Sequence, residues 1–136
     1  EHRFEKVDNI NGTRFINDSK STNFHSVSSA SERVKNALLI MHGITKNIPT
    51  SELQLSNEIK KVIVPEDMNL DQNLFHCEVE VIKSIFELEE ILKKDFQRFD
   101  TVLFSCGGSS FNDFKNYIER GKFFKSIVKK IEGGHN

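Results

Sequence analysis

Two apolar runs, each too short for a core helix, constrain the fold most: Ala37-Leu38-Leu39-Ile40-Met41, bounded by polar residues and Gly43, and Thr101–Ser105. A run with no polar alternation is expected of a strand buried on both faces, and such strands occur in parallel sheets covered by helices. Val62-Ile63-Val64, ending at Pro65, and Val79–Ile82 read as two further strands. Asn11-Gly12, set between Phe4–Ile10 and Thr13–Ile16, is a strong signal for a β-hairpin.

Between the strands the apolar spacing becomes helical. A helix is expected from Asn23 to about Val34, and Ser51-Glu52-Leu53-Gln54 reads as a capping box opening another that runs to about Lys60. Ser84-Ile85-Phe86-Glu87 is a second capping box, followed by a stripe of Ile85, Leu88, Ile91, Leu92 and Phe96. Phe111, Phe114 and Ile118 stripe the next helix, which Gly121 is expected to break; Phe124, Ile127, Val128 and Ile131 stripe a last one. Alternation of strands and helices predicts an α/β domain with a Rossmann-like, three-layer arrangement: a mostly parallel sheet and an N-terminal β-hairpin.

The chain's 136 residues suit a single domain, and the opening Glu1-His2-Arg3 reads as a linker tail, so a piece of a longer chain is expected. With 29% charged residues and a formal net charge of -1, the sequence carries no basic stripe for nucleic acid or an anionic membrane. Cys77 and Cys106 form neither a CxxC pair nor part of a ligand ladder, which fits a reduced, cytoplasmic setting with both thiols structural. His2, His25, His42, His76 and His135 are scattered, so no metal site built by this chain is expected.

In parallel sheets ligands gather beyond the carboxyl ends of the strands. Three polar loops fall there: 17–23, 42–46 and 106–110. In Asn17-Asp18-Ser19-Lys20-Ser21-Thr22-Asn23, Asp18, Ser19, Thr22 or Asn23 could simply cap the following helix; alternatively Lys20 meets a phosphate or carboxylate and Asp18 a ribose hydroxyl. In Cys106-Gly107-Gly108-Ser109-Ser110 the glycines allow close backbone approach at a helix start, which suits an anion or merely a turn. In His42-Gly43-Ile44-Thr45-Lys46 the lysine could be solvated or a ligand contact.

The motif Asn17–Asn23 resembles the NDSKATN segment of the glutamate-adding branch of the Mur ligase family, with Ser21 in place of alanine. Phe104 through Gly121, reading FSCGGSSFNDFKNYIERG, is similar to that branch's LSPACASFDMFKNFEERG. His2-Arg3-Phe4-Glu5 and Asn11-Gly12 match its HRxE…NG opening. Order and spacing agree over nearly the whole of the family's C-terminal domain.

The resemblance implies an ATP- and Mg²⁺-dependent ligase of peptidoglycan synthesis that joins D-glutamate to UDP-N-acetylmuramoyl-L-alanine through an acyl phosphate. The UDP-binding and ATPase domains, with the metal ligands, would lie elsewhere in the chain. It implies that Arg3 and Asp18 contact the adenosine part of ATP, and that Lys20 sits by the phosphates in a catalytic role. Thr22 and Lys46 would hold carboxylates of glutamate, with Ser110 and the backbone amides at Phe111 and Tyr117 taking its other carboxylate.

Departures from the pattern are local. His42–Lys46 lacks one glycine and the acidic residue of the family's GGxDKG or GGDGK. Cys106–Ser109 replaces Pro-Ala-Cys-Ala, which should loosen the loop. The segment between Val64 and Val79 is short, which predicts a turn around Met68–Leu74 instead of a helix. Two other readings keep the fold: a non-catalytic binding module for a nucleotide or dicarboxylate, and a sister ligase that adds glutamate to folate.

Overall fold

The computed structural model describes residues 1–45 and 47–134. Six strands form one sheet: β1 (Glu5–Ile10), β2 (Thr13–Asp18), β3 (Ala37–His42), β4 (Ile59–Pro65), β5 (Glu78–Ile82) and β6 (Thr101–Gly107), in the order β1-β2-β6-β3-β4-β5. All neighbours are parallel except β1 and β2, which form the N-terminal hairpin. Asn11 and Gly12 make its turn with φ of 52° and 93°, the paired positive values that a tight two-residue turn requires.

β3 and β6 are buried along their whole length. Their side chains divide between the two faces, giving two cores. Leu38, Ile40, Val102 and Phe104 meet α2 (Leu88–Asp95) and α3 (Tyr117–Gly134) on one side. Leu39, Met41 and Leu103 meet α1 (Phe24–Ser31) on the other. The result is the three-layer α/β arrangement that the alternation predicts.

Two helices expected from the sequence are absent or altered. Ser51 opens no helix to Lys60; Thr50–Glu52 is one 3₁₀ turn and the chain then runs extended into β4. The amides that a helix would need are taken by α1 instead: Gln54 N–H donates to Ser28 Oγ at 2.9 Å and Ser56 N–H to Ser31 Oγ at 3.0 Å. Nor does Gly121 break a helix. Phe111 lies in the 3₁₀ turn Ser110–Asn112 and Phe114 just after it, both before α3, and α3 runs unbroken through Gly121, where a Cβ would stand 2.1 Å from His2 Nδ1. The glycine marks a close contact within the helix.

By contrast, the Ser84 capping box is real, with both Ser84 and Glu87 side chains bonded to backbone. The short segment before β5 holds only 3₁₀ turns, Glu66–Met68 and Gln72–Leu74. No helix among the described residues is long and apolar enough to cross a membrane.

Candidate functional site

The ends of β2, β3 and β6 place the 17–23, 42–45 and 106–110 loops along one sheet edge, and the side chain that joins them is Arg120 of α3. It is fully buried. Its Nε donates to Ser19 Oγ at 3.0 Å and Nη2 to the Ser19 carbonyl at 2.7 Å. Nη1 reaches the Gly108 carbonyl at 2.8 Å, and the His42 carbonyl and ring Nδ1 each at 3.2 Å. Among the described residues no carboxylate pairs with this guanidinium, so its donors are satisfied by neutral acceptors and its charge is left uncompensated.

Arg120 also sets the state of His42. With Nδ1 facing the guanidinium as acceptor, Nε2 carries the hydrogen and donates to Asp113 Oδ2 at 2.8 Å. Burial pushes the His42 pKa down, against the pull of its bond to Asp113, and the Arg120 charge adds to the fall. Sequence reasoning missed Arg120, yet a signal exists: it stands on the stripe Arg120, Phe124, Ile127, Ile131, where a cation has no reason to be unless it is held.

The glycines of the other two loops serve close approach. Ile44 and Ser109 exchange backbone hydrogen bonds of 2.8 and 3.0 Å, and a Cβ at Gly43 would fall 2.5 Å from the Gly108 carbonyl carbon. The 106–109 segment is thus pinned rather than loosened.

The HRxE and NDSK motifs interlock. Phe4 N–H donates to Asp18 Oδ1 at 2.9 Å, and Lys20 N–H returns a bond of 2.9 Å to the His2 carbonyl. Glu5 Oε1 accepts from Asn17 Nδ2 at 3.0 Å and from His2 N–H at 3.1 Å. Asp18 is buried, with its second oxygen taken by Ser105 Oγ at 2.7 Å; burial raises its pKa against those two hydrogen bonds.

Arg3, Asp18 and Lys20 line one cleft of about 250 Å³ with Phe4, His25 and Arg33. That is just below the ~300–1,000 Å³ typical of ligand pockets. A second cleft, of about 420 Å³, lies beside the 42–45 loop and includes Thr45, Asp67 and Asn112.

Of the residues expected for glutamate, none of the described ones lines either cleft. Thr22 is exposed between β2 and α1, Ser110 is buried, and Phe111 is 71% exposed with its amide 3.5 Å from Ser109 Oγ. Tyr117 begins α3 with its carbonyl accepting from Ser19 Oγ at 2.7 Å and its ring 5.7 Å from Lys20 Nζ. Lys46 lies outside the described residues. Asn23, not Asp18 or Ser19, caps α1 by accepting from Ser26 N–H. Among the described residues no group of three or more His, Cys, Asp or Glu side chains could hold a metal ion.

No protein-family model matches the chain. Curated relatives do: it is 37% identical over 138 residues to the UDP-N-acetylmuramoylalanine–D-glutamate ligase of Thermosipho africanus, covering 98% of this chain and 33% of that protein. The ligases of the same name from Thermosipho melanesiensis and Fusobacterium nucleatum are 35% and 32% identical, each again over 98% of the chain. The chain belongs to the Mur ligase family. It spans about a third of the length of these relatives.

Solved structures agree on the fold of this Mur ligase domain. A domain described as that of a UDP-N-acetylmuramate:L-alanyl-γ-D-glutamyl-diaminopimelate ligase from Haemophilus ducreyi superposes with a TM-score of 0.60 at 12% identity, over 98% of this chain and all of that one. A murein peptide ligase from Psychrobacter arcticus gives 0.59 at 10% identity, over 96% of this chain and 29% of its own.

Proposed function

We propose that this chain is the C-terminal domain of an ATP-dependent, cytoplasmic ligase that joins D-glutamate to UDP-N-acetylmuramoyl-L-alanine in peptidoglycan synthesis. The observation that carries the proposal is the interlock of the HRxE and NDSK motifs at a cleft lined by Arg3, Lys20 and Arg33, in a chain alignable end to end with glutamate-adding ligases.

In this reading the first cleft takes the nucleotide. Its cations suit phosphates, and Lys20, exposed beside Tyr117, supplies an ammonium where charge develops during acyl transfer. Asp18 acts mainly as the buried tie that holds Phe4 and Ser105 in place, since both its oxygens are already engaged. The 42–46 loop and the turn at Ser110–Asn112 take glutamate, whose two carboxylates would meet Thr22, Lys46, Ser110 and the amides at Phe111 and Tyr117. Closure of the UDP-binding and ATPase domains against this face would complete the site around these groups. The Mg²⁺ ligands and phosphate loop belong to those domains, so the isolated chain is expected to be inactive.

Amide chemical shifts of the full-length protein, titrated separately with D-glutamate and with a non-hydrolysable ATP analogue, test the division. Glutamate should move the amides of residues 43–45 and 109–117, and the nucleotide those of residues 3, 4, 18 and 20. Both ligands moving one set, or glutamate moving neither, would overturn it.

A further inference from the structure

One cation of the first cleft belongs to no motif. Arg33 lies in the turn after α1, exposed, with its guanidinium carbon 3.7 Å from the centroid of the Phe4 ring. At that separation the guanidinium is in van der Waals contact with the ring face. No carboxylate pairs with Arg33 among the described residues.

The ring beneath it is firmly presented. Phe4 has φ of 43°, in the left-handed region that bulky residues avoid, and the Asp18 bond to its N–H holds it there. Beside Ser21 and His25 the cleft is lined by Ser26, Ser29 and Ala30. With Arg33 these stand at i, i+3, i+4 and i+7, one face of α1 and the turn that ends it, and its small side chains leave room along the helix.

We infer that Arg33, laid on Phe4, is a stacking platform for the purine base of the nucleotide whose phosphates face Lys20; the inference rests on the nucleotide reading of this cleft. A guanidinium already packed on a ring has lost part of its rotamer freedom before the ligand arrives. It therefore offers an oriented planar face at little further entropic cost. Of the other cleft residues Phe4 and His25 carry rings, and that of Phe4 is the one beneath Arg33. Stacking of this kind is sequence-tolerant, so adenine and guanine nucleotides should both use it.

The test is binding of ATP, ADP and inorganic tripolyphosphate to the full-length protein and to its Arg33→Lys and Arg33→Ala variants. Arg33 is exposed, so both variants should fold, and thermal melts check this. Both should bind ATP and ADP about 5- to 100-fold more weakly while tripolyphosphate binding changes less than twofold. Lys restoring wild-type affinity would show a charge contact to phosphate, and unchanged affinity in both variants would show no contact; either overturns the inference. Failure of the wild-type protein to bind ATP would overturn the nucleotide reading itself.

Discussion

Replacing Arg120 by Met should destabilise the chain by about 3–4 kcal/mol. The guanidinium's two shortest bonds go to the carbonyls of Ser19 and Gly108, at 2.7 and 2.8 Å. Leaving each buried and unpaired costs roughly 1–3 kcal/mol. Loss of the His42 and Ser19 Oγ contacts adds to this, whereas removing a buried charge returns part of its desolvation cost. Arg120→Lys keeps the charge but replaces a five-donor fork by a point ammonium with three donors, so it should fall between, at about 2–3 kcal/mol. The assay is urea unfolding followed by far-UV circular dichroism, with thermal melts expected to drop by roughly 10 °C or more for Met. A loss below about 1 kcal/mol for Arg120→Met would refute the view that one side chain holds the three loops.

Gly121→Ala should lower stability by about 1–3 kcal/mol, because its Cβ would meet His2 Nδ1 at 2.1 Å and Asn17 Nδ2 at 3.0 Å; a thermal midpoint equal to wild type would place that contact elsewhere. Burial also lowers the His2 pKa, as it does that of His42, so the unfolded chain takes up these protons first, near the ordinary value of 6.5. Stability from the neutral rings is therefore present above that pH and lost as pH falls below it; urea midpoints at pH 7.5 and 5.5 should differ in that sense, by a smaller margin in His42→Gln. In the full-length protein Lys46→Ala should raise the KM for glutamate by roughly 10- to 100-fold with the KM for ATP unchanged, as loss of one charge-assisted contact implies.

Much of the fold is legible because burial on two faces leaves a plain mark. Leu38–Met41 and Val102–Phe104 admit no polar residue, and their crossing between two cores follows from strand geometry alone. Local signals mislead where a distant partner competes. The Ser51 capping pattern forms no helix because Ser28 and Ser31 take the amides it would need, and Gly121 looks like a helix breaker until His2, over a hundred residues away, is seen packed against it.

The three loops of the candidate site were visible as polar segments after strands, and the structure sets them side by side. Their connection through Arg120 was not, since the contacts joining residue 120 to Ser19 and His42 depend on tertiary packing. Asp18 shows the limit of reading roles from a motif: a carboxylate placed to meet a ribose is also the buried acceptor that positions Phe4.

Specificity for glutamate is tested by ADP release from the full-length protein. Supplied with ATP, Mg²⁺ and UDP-N-acetylmuramoyl-L-alanine, the protein should release ADP in step with added D-glutamate, and alanine, diaminopimelate and L-glutamate should elicit little or none. Release driven equally by another amino acid, or no glutamate-dependent release at all, would rule out a glutamate-adding ligase.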